Sequence, residues 1–100
     1  MKSPLPKSAY RRNARIYRLM ANPIRLEILN ALAVQSLSVE QLTNLLHLRK
    51  ANVSQHLAIL RQTGLVLAER LGQSVIYAIV DSRIVTPCAI LHRLRLTSRA

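Results

Sequence analysis

The sequence predicts a mainly α-helical domain that carries one small β-hairpin. Apolar residues recur at helical spacing through most of the first 64 residues, and two runs rich in Val and Ile flank Gly72. A chain of 100 residues has room for one hydrophobic core. We therefore expect a single domain over residues 7–97, preceded by a flexible arm of residues 1–6 that contains two prolines.

The first two predicted helices are separated by an Asn-Pro pair. Apolar residues at helical spacing predict a helix over residues 7–21. Asn22 is suited to an N-cap and Pro23 to the first position of a helix. A second helix is therefore expected from Pro23 to about Val34.

The next two helices lie on either side of a short connector. Ser38 and Gln41 have the spacing of a capping box, in which the serine hydroxyl accepts from the Gln41 backbone N–H and the Gln41 side chain reaches back. A fourth helix is expected from Lys50 to Gly64, because glycine readily adopts the left-handed conformation that caps a helix C-terminus.

The runs "LVLAER" and "VIYAIV" predict a β-hairpin whose turn contains Gly72. Arg70, Gln73 and Ser74 are expected near its tip. Asp81 can cap a last helical segment, but Pro87 interrupts it. The segment therefore contains either a kinked helix or a short turn followed by a helix over residues 87–96.

The strong positive charge indicates an anionic partner. Fifteen Lys and Arg residues against four Asp and Glu give a formal net charge of +11, which favours nucleic acid first and an anionic membrane surface second. No apolar run approaches the roughly 20 residues of a membrane-spanning helix, and no signal peptide is evident, so we expect a cytoplasmic protein. No phosphate-binding loop or nucleophile motif occurs, which argues against an enzyme and against a cofactor.

The order of the predicted elements is that of a winged helix-turn-helix domain, in which the second helix of a pair, the recognition helix, enters the DNA major groove. In this chain the recognition helix is the fourth predicted helix, from Lys50 to Gly64. At about 100° per residue, Val53, Leu57 and Leu60 fall on one side of the recognition helix and are expected to pack inward. The opposite side carries Lys50, Ala51, Ser54, Gln55 and Ala58. Glutamine can pair with adenine, serine can bond several base edges and alanine can contact a thymine methyl, so this side suits a groove-reading surface.

His56 and Asn52 lie on the flank between these two sides. For His56, a local hydrogen bond and a contact to DNA are expected about equally, and Asn52 can still reach a base or a phosphate. The residues predicted to contact DNA are Arg49, Lys50, Asn52, Ser54, Gln55, His56, Arg61, Arg70, Gln73 and Ser74.

Three segments, "LMANPIRLEILNAL", "VSQHLAILRQTGLV" and "ERLGQSVIYAIV", resemble the successive signatures of the ArsR/SmtB family of bacterial winged-helix repressors. The resemblance covers about residues 16–80. It implies a homodimer formed through the first and last helices, which binds a palindromic operator and represses transcription until an inducer releases it. The residues expected at this dimer interface are Tyr10, Tyr17, Ile84, Cys88, Leu91 and Leu94.

The resemblance also locates two metal sites that many family members use. Ser38 stands at the main cysteine position of the first site. In the second site Asp81 matches one ligand, but Arg83 and Leu94 stand at the histidine positions. Both sites are therefore expected to be absent. Family members usually have serine where this chain has Arg49, which removes a helix cap and adds a charge that attracts phosphate.

Cys88 is the only cysteine, and it lies four residues before His92 on the predicted last helix. Two such pairs in a dimer would supply four zinc ligands, and a Cys88–Cys88 cross-link is a comparable possibility. A lone cysteine is more often a small buried hydrophobic residue, and that interpretation is favoured here.

Two other functions remain open. A protein that coats DNA without sequence preference, or shapes it, would suit the high charge, because phosphate contacts give affinity without specificity. A winged helix used only for protein contacts would form no salt-sensitive complex with DNA. Ser54 and Gln55 favour sequence reading, because a protein that binds only phosphates does not need them.

Overall fold

Five α-helices and a three-stranded antiparallel sheet make up the fold, in a computed structural model that describes residues 1–96. The elements in chain order are α1 (Lys7–Met20), α2 (Pro23–Val34), β1 (Leu37–Ser38), α3 (Val39–Leu46), α4 (Lys50–Gln62), β2 (Val66–Leu71), β3 (Ser74–Ile79), a 3-10 turn (Ser82–Val85) and α5 (Thr86–Leu94). None of the helices in residues 1–96 combines the length and the apolar character that a membrane span requires. The predicted end of the domain at Thr97 lies outside the described residues.

The boundary between α1 and α2 is the predicted one. The Asn22 side chain accepts from the backbone N–H groups of Ile24 and Arg25, at 3.0 and 3.1 Å, and so satisfies two donors that the helix leaves free. Pro23 occupies the first turn of α2. Helix α1 ends at Met20, one residue earlier than predicted.

Helices α3 and α4 form the helix-turn-helix pair. The predicted capping box at the start of α3 is present, because Ser38 Oγ accepts from the Gln41 backbone N–H and Gln41 Oε1 accepts from the Ser38 N–H. Helix α3 ends at Leu46, and His47 then adopts a left-handed conformation with φ of 55°. Arg49 stands at the N-cap of α4 without a side-chain capping hydrogen bond.

Gly64 ends the recognition helix α4 as predicted. Its φ is +82°, and the chain closes in a Schellman motif. The Gly64 N–H bonds the carbonyl of Arg61 at 3.0 Å, and the Leu65 N–H bonds that of Leu60 at 3.1 Å. The chain therefore leaves α4 sharply and enters β2 two residues later.

The predicted hairpin is present, and the structure adds a third strand. Strands β2 and β3 pair antiparallel through a two-residue turn of Gly72, with φ of 65°, and Gln73. The short strand β1 pairs with the other edge of β3, so the strand order is β1-β3-β2. The sequence does not predict β1, because two residues have no periodicity. This strand attaches the start of α3 to the hairpin of β2 and β3, which is the wing of the fold.

A short turn, rather than a kinked helix, precedes α5. The Asp81 carboxylate accepts from the Arg83 backbone N–H at 2.9 Å and so caps the 3-10 turn. Pro87 lies in the first turn of α5, where a missing N–H costs nothing. Helix α5 ends at Leu94, two residues before its predicted end, and Arg95 follows with a left-handed φ of 51°.

The core lies between α2, α3, α4 and the start of β2, and the seven side chains that are most completely buried come from these elements. They are Ile28, Leu29, Leu42, Val53, Leu57, Leu60 and Val66. Helix α1 buries only Met20, and α5 buries no side chain completely. The helix-turn-helix and the base of the wing therefore pack tightly, whereas the first and last helices are largely uncovered.

Candidate nucleic-acid interface

The recognition helix α4 has one buried and one exposed side. Val53, Leu57 and Leu60 are at most 1% exposed, which confirms the prediction that they pack inward. Gln55, Ser54 and the other polar side chains opposite them are exposed. Packing the apolar side holds the helix in place, so its polar side chains are presented from a rigid support.

A groove of about 510 Å³ lies beside this exposed side. It runs between α4 and β3, and its lining is Ser54, Ala58, Arg61, Gln62 and Tyr77. Tyr77 pairs with Ala68 across the hairpin, and its ring also packs against the core. Tyr77 was not among the predicted residues, because the alternation of side chains along a strand does not show which face will pack against a helix.

A second groove, of about 270 Å³, separates the start of α3 from the hairpin tip. Lys50, Gln73 and Ser74 line it together with Tyr77. Glu40 also lines this groove, and it is the one carboxylate along either groove within the described residues. Lys50 thus connects the recognition helix to the tip of the wing, and the predicted residues Gln73 and Ser74 lie on the same surface.

His56 is the one half-buried residue of the predicted DNA-binding set; the others are exposed. Its Nδ1 accepts a hydrogen bond from Arg25 Nε at 3.1 Å. Burial, and then the positive charge of Arg25, lower the pKa of His56 below its ordinary value of 6.5. Arg25 was not among the predicted residues, because this contact joins two helices that are distant in the sequence.

The exposed members of the predicted set occur at three places. Arg49 and Asn52 lie at the start of α4, beside Lys50. Arg61 lies in its last turn and Arg70 near the end of β2. Ser54 and Arg61 therefore line the first groove, Lys50, Gln73 and Ser74 line the second, and His56 lies on the flank of α4 that faces α2.

The residues predicted for a dimer interface fall into two groups. Tyr10, Tyr17, Leu91 and Leu94 have exposed fractions of 43, 68, 53 and 60%. Ile84 and Cys88 are instead half-buried and pack against the core. Tyr17 and Ile84 also line a groove of about 300 Å³ between α1 and the start of α5.

Cys88 and His92 have different surroundings. Cys88 packs against the core, and its Sγ accepts from Asn30 Nδ2 at 3.5 Å. His92 is exposed. Among the described residues, no group of three or more His, Cys, Asp or Glu side chains could hold a metal ion.

The two positions that correspond to family metal sites are used in other ways. Ser38 Oγ is engaged in the capping box of α3. Asp81 forms an ion pair with Arg83, with 2.7 Å between Oδ2 and Nη2, and the hydrogen bonds from Arg83 lower the Asp81 pKa to about 2. Both side chains therefore have local structural roles.

Comparison with known proteins places these features in a family. Residues 22–68 match the family described as "Bacterial regulatory protein, arsR family". The transcriptional activator HlyU of Vibrio cholerae is 39% identical over 79 residues, which are 79% of this chain and 73% of HlyU. The transcriptional repressor SmtB of Mycobacterium tuberculosis is 34% identical over 79 residues, and the match spans 79% of this chain but only 58% of SmtB.

A solved structure with the same architecture is the homodimeric winged helix-turn-helix DNA-binding domain of Mb0332 from Mycobacterium bovis. Its TM-score is 0.73 at 26% identity, and the match covers 99% of this chain and 97% of that domain. The helix-turn-helix, the wing and the identity to HlyU lead to one conclusion: this chain belongs to the ArsR family of winged helix-turn-helix transcriptional regulators.

Proposed function

We propose that this protein is a homodimeric repressor that reads a palindromic operator with α4. One observation carries the proposal: α4 buries its apolar side completely and presents an exposed polar side next to a wing that carries Arg70. The relatives include both an activator and a repressor. Sequence-specific binding is the step that both activities require, and repression needs only that the bound dimer occupies the promoter.

Base reading is assigned to the middle of α4. Gln55 presents an amide that can pair with the N6 and N7 positions of adenine, and Ser54 presents a hydroxyl at the edge of the groove beside the wing. Ala51 and Ala58 are exposed on the same side, and their small side chains let the helix backbone approach the bases. This surface thus combines hydrogen-bonding side chains with small side chains that let the helix lie close to the bases.

Phosphate binding is assigned to the residues around this surface. Arg49 and Lys50 lie at the N-terminal end of α4, where the helix dipole also attracts anions, and Asn52 lies beside them. Arg61, Arg70, Gln73 and Ser74 extend the polar surface along the wing. Contacts to phosphates set the position of the protein on the duplex and make binding salt-dependent.

The dimer is assigned to α1 and α5. Tyr10 and Tyr17 of α1 and Leu91 and Leu94 of α5 are exposed apolar side chains that a second copy would cover. A two-fold axis between the copies places two recognition helices in opposite orientations, so the operator is expected to be a palindrome. The homodimeric structure of the Mb0332 domain supports this assignment.

Replacement of Gln55 tests the proposal directly. Gln55→Ala is expected to weaken binding to the selected operator by about 1–3 kcal/mol and to leave binding to random DNA nearly unchanged, because it removes a base contact and no charge. The operator is first obtained by selecting genomic fragments that the purified protein retains. Gln35→Ala, which changes an exposed glutamine in the connection after α2, is the control. Equal losses on both DNAs would contradict base reading by Gln55.

The formal charge of +11 favours a second candidate, a DNA-coating or architectural protein. Lys7, Arg11, Arg15 and Arg18 are all exposed on α1. For a specific repressor, Arg70→Ala is expected to weaken operator and random DNA alike and to flatten the salt dependence, because it removes a phosphate contact. A wild-type protein with no preference for any selected fragment would favour the coating function.

We also propose that the two usual metal sites of the family are absent. The roles of Ser38 as a cap and of Asp81 as a partner of Arg83 support this statement. Addition of zinc is therefore expected to leave operator affinity unchanged, as is addition of peroxide, since Cys88 packs against the core. A change with zinc that disappears in Cys88→Ala or His92→Ala would instead establish the Cys88–His92 pair as a ligand set.

A further inference from the structure

The Arg25 side chain connects three helices. Its Nε donates to His56 Nδ1 on α4 at 3.1 Å, and its Nη1 donates to the Leu19 carbonyl of α1 at 3.0 Å. Arg25 itself lies in the first turn of α2, where Asn22 caps its backbone N–H. The guanidinium is planar, so two simultaneous hydrogen bonds also determine its orientation.

The bond from Arg25 determines where the His56 ring carries its proton. A nitrogen that accepts a hydrogen bond is unprotonated, so Nδ1 is bare and the neutral ring carries its hydrogen on Nε2. Protonation of Nδ1 would place two donors and two positive charges against each other. Partial burial, and then the positive charge of Arg25, lower the His56 pKa, in agreement with this geometry.

In the part of the chain that the structure describes, Arg25 is the one charged group that shifts the His56 pKa. The residues one turn away on α4 are Asn52, Val53, Ile59 and Leu60, which are all uncharged. α2 contributes Arg25, and α1 contributes the Leu19 carbonyl that holds Arg25. Among the described residues, His56 Nε2 makes no hydrogen bond, and Cε1 separates it from the Nδ1 atom that Arg25 contacts.

We propose that Arg25 is a positioning residue for DNA binding, which holds His56 as the neutral tautomer with the proton on Nε2 and so presents one directed N–H donor to a DNA phosphate. The proposal rests on the proposed DNA-binding function. A local hydrogen bond and a DNA contact, the two roles expected for His56, are then both possible. Nδ1 makes the local hydrogen bond, and Nε2 remains available for the DNA contact. The donor would act on the flank of α4 that faces α2, on the other side of the helix from the groove beside the wing.

The tautomer of His56 is measurable in the free protein. A long-range ¹⁵N–¹H correlation spectrum of histidine-labelled wild-type protein at neutral pH is expected to show His56 neutral, with hydrogen on Nε2 only. In Arg25→Gln, the ring is expected to exchange between both tautomers, and its pKa is expected to rise. Hydrogen on Nδ1 in the wild type would overturn the proposal, and this measurement requires no variant to fold.

A double-mutant cycle on operator DNA tests whether Arg25 acts through His56. Introduced into the wild-type protein, Arg25→Gln is expected to weaken operator binding about tenfold, which is the size of effect expected for loss of a hydrogen bond to a charged phosphate. Introduced into His56→Ala, the same substitution is expected to weaken binding much less. Arg12→Gln, at an exposed arginine of α1, measures the effect of losing one positive charge. Thermal unfolding of each variant confirms that it folds.

The outcomes separate this proposal from the function on which it depends. Equal losses from Arg25→Gln in the wild type and in His56→Ala would overturn the positioning role while leaving operator recognition intact. A wild-type protein that shows no operator preference would instead overturn the proposed function, whatever the tautomer of His56.

Discussion

Helices α4 and α5 are both amphipathic, but of the two only α4 buries its apolar side against other elements within residues 1–96. Val53, Leu57 and Leu60 of α4 are at most 1% exposed, whereas Leu91 and Leu94 of α5 are 53 and 60% exposed. Helices α2 and α3 and strand β2 surround α4, whereas nothing comparable in the described part of the chain encloses α5. The same kind of sequence pattern thus leads to a closed core in one region and to an open apolar surface in the other.

The overall shape agrees with this difference. The radius of gyration is 15.2 Å and the principal extents are 54 × 30 × 21 Å. A compact chain of this length has a radius of about 13 Å. Helix α1 buries only Met20 completely, and its Ile16 and Leu19 are only partly buried against the core. Packing of α1 and α5 against a second copy would bury the apolar side chains that a single chain leaves exposed.

The largest expected effect is loss of the packing under α4. Leu57 is 1% exposed in the centre of the core. Leu57→Ala is expected to lower the free energy of unfolding by about 2–5 kcal/mol, because it removes buried apolar surface and leaves a cavity. Chemical denaturation monitored by circular dichroism measures this change. The matched variant Leu91→Ala is expected to cost far less under conditions where the protein is monomeric, and equal losses would remove the contrast between the two helices.

The second prediction concerns the open surface. Leu91→Asp is expected to weaken the dimer by at least about 1 kcal/mol, because a charge replaces an apolar side chain that becomes buried between copies. Sedimentation equilibrium measures the dissociation constant. Leu45→Asp is the control, since Leu45 on α3 is 55% exposed and lies outside the proposed interface. If Leu45→Asp weakens the dimer and Leu91→Asp does not, the interface lies on α3 instead.

The two helices also differ in the residue that takes the left-handed conformation at their C-terminal ends. Gly64 follows α4 with φ of +82°, and Arg95 follows α5 in the same left-handed region. Gly64→Ala is expected to destabilise the fold by about 1–2 kcal/mol through backbone strain alone, because an added Cβ would meet no atom within 4 Å. Arg95→Gly is expected to have the opposite sign. Thermal unfolding measures both, and a neutral Gly64→Ala would show that the end of α4 can adjust.

The smallest expected effect is at the start of the α5 segment. The Asp81 pKa is lowered from 3.8 to about 2, mainly by hydrogen bonds from Arg83. Because the folded state binds this proton less readily, the carboxylate stabilises the fold above pH 3.8, and that contribution disappears as the pH falls through about 2. Asp81→Asn keeps a capping side chain but removes the titrating carboxylate. The variant is therefore expected to lose slightly less thermal stability than the wild type as the pH is lowered from 3.8 to about 2.

Glu27→Gln is the control for the Asp81 measurement. Glu27 is exposed and makes no ion pair within residues 1–96. Its replacement is expected to change the acid dependence of thermal stability less than Asp81→Asn does. The reverse order would show that the ion pair with Arg83 is not what links this part of the fold to pH.

Several features of the fold could be predicted because they depend on neighbouring residues. The Asn22 cap, the Ser38–Gln41 capping box and the Gly64 stop each involve groups within about one helical turn. The inward packing of Val53 follows from helical periodicity in the same way. Such features require no knowledge of where the rest of the chain lies.

Other features became visible only when distant segments met. Strand β1 forms because Leu37 pairs with Tyr77, and Tyr77 in turn lines the groove beside α4. The contact of Arg25 with His56 joins α2 to α4, and His47 adopts a left-handed φ that favours glycine. Sequence periodicity carries no information on these contacts, because it describes one element at a time.

The sequence by itself determined the helices, their caps, the hairpin and the polar side of α4, because short-range hydrogen bonds and apolar periodicity specify them. Only the tertiary structure decided which polar groups meet across elements. It separated the two nitrogens of His56 into a bound acceptor and a free position, and it left α1 and α5 uncovered. Those outcomes depend on long-range packing, where the position of each side chain is set by residues far away along the chain.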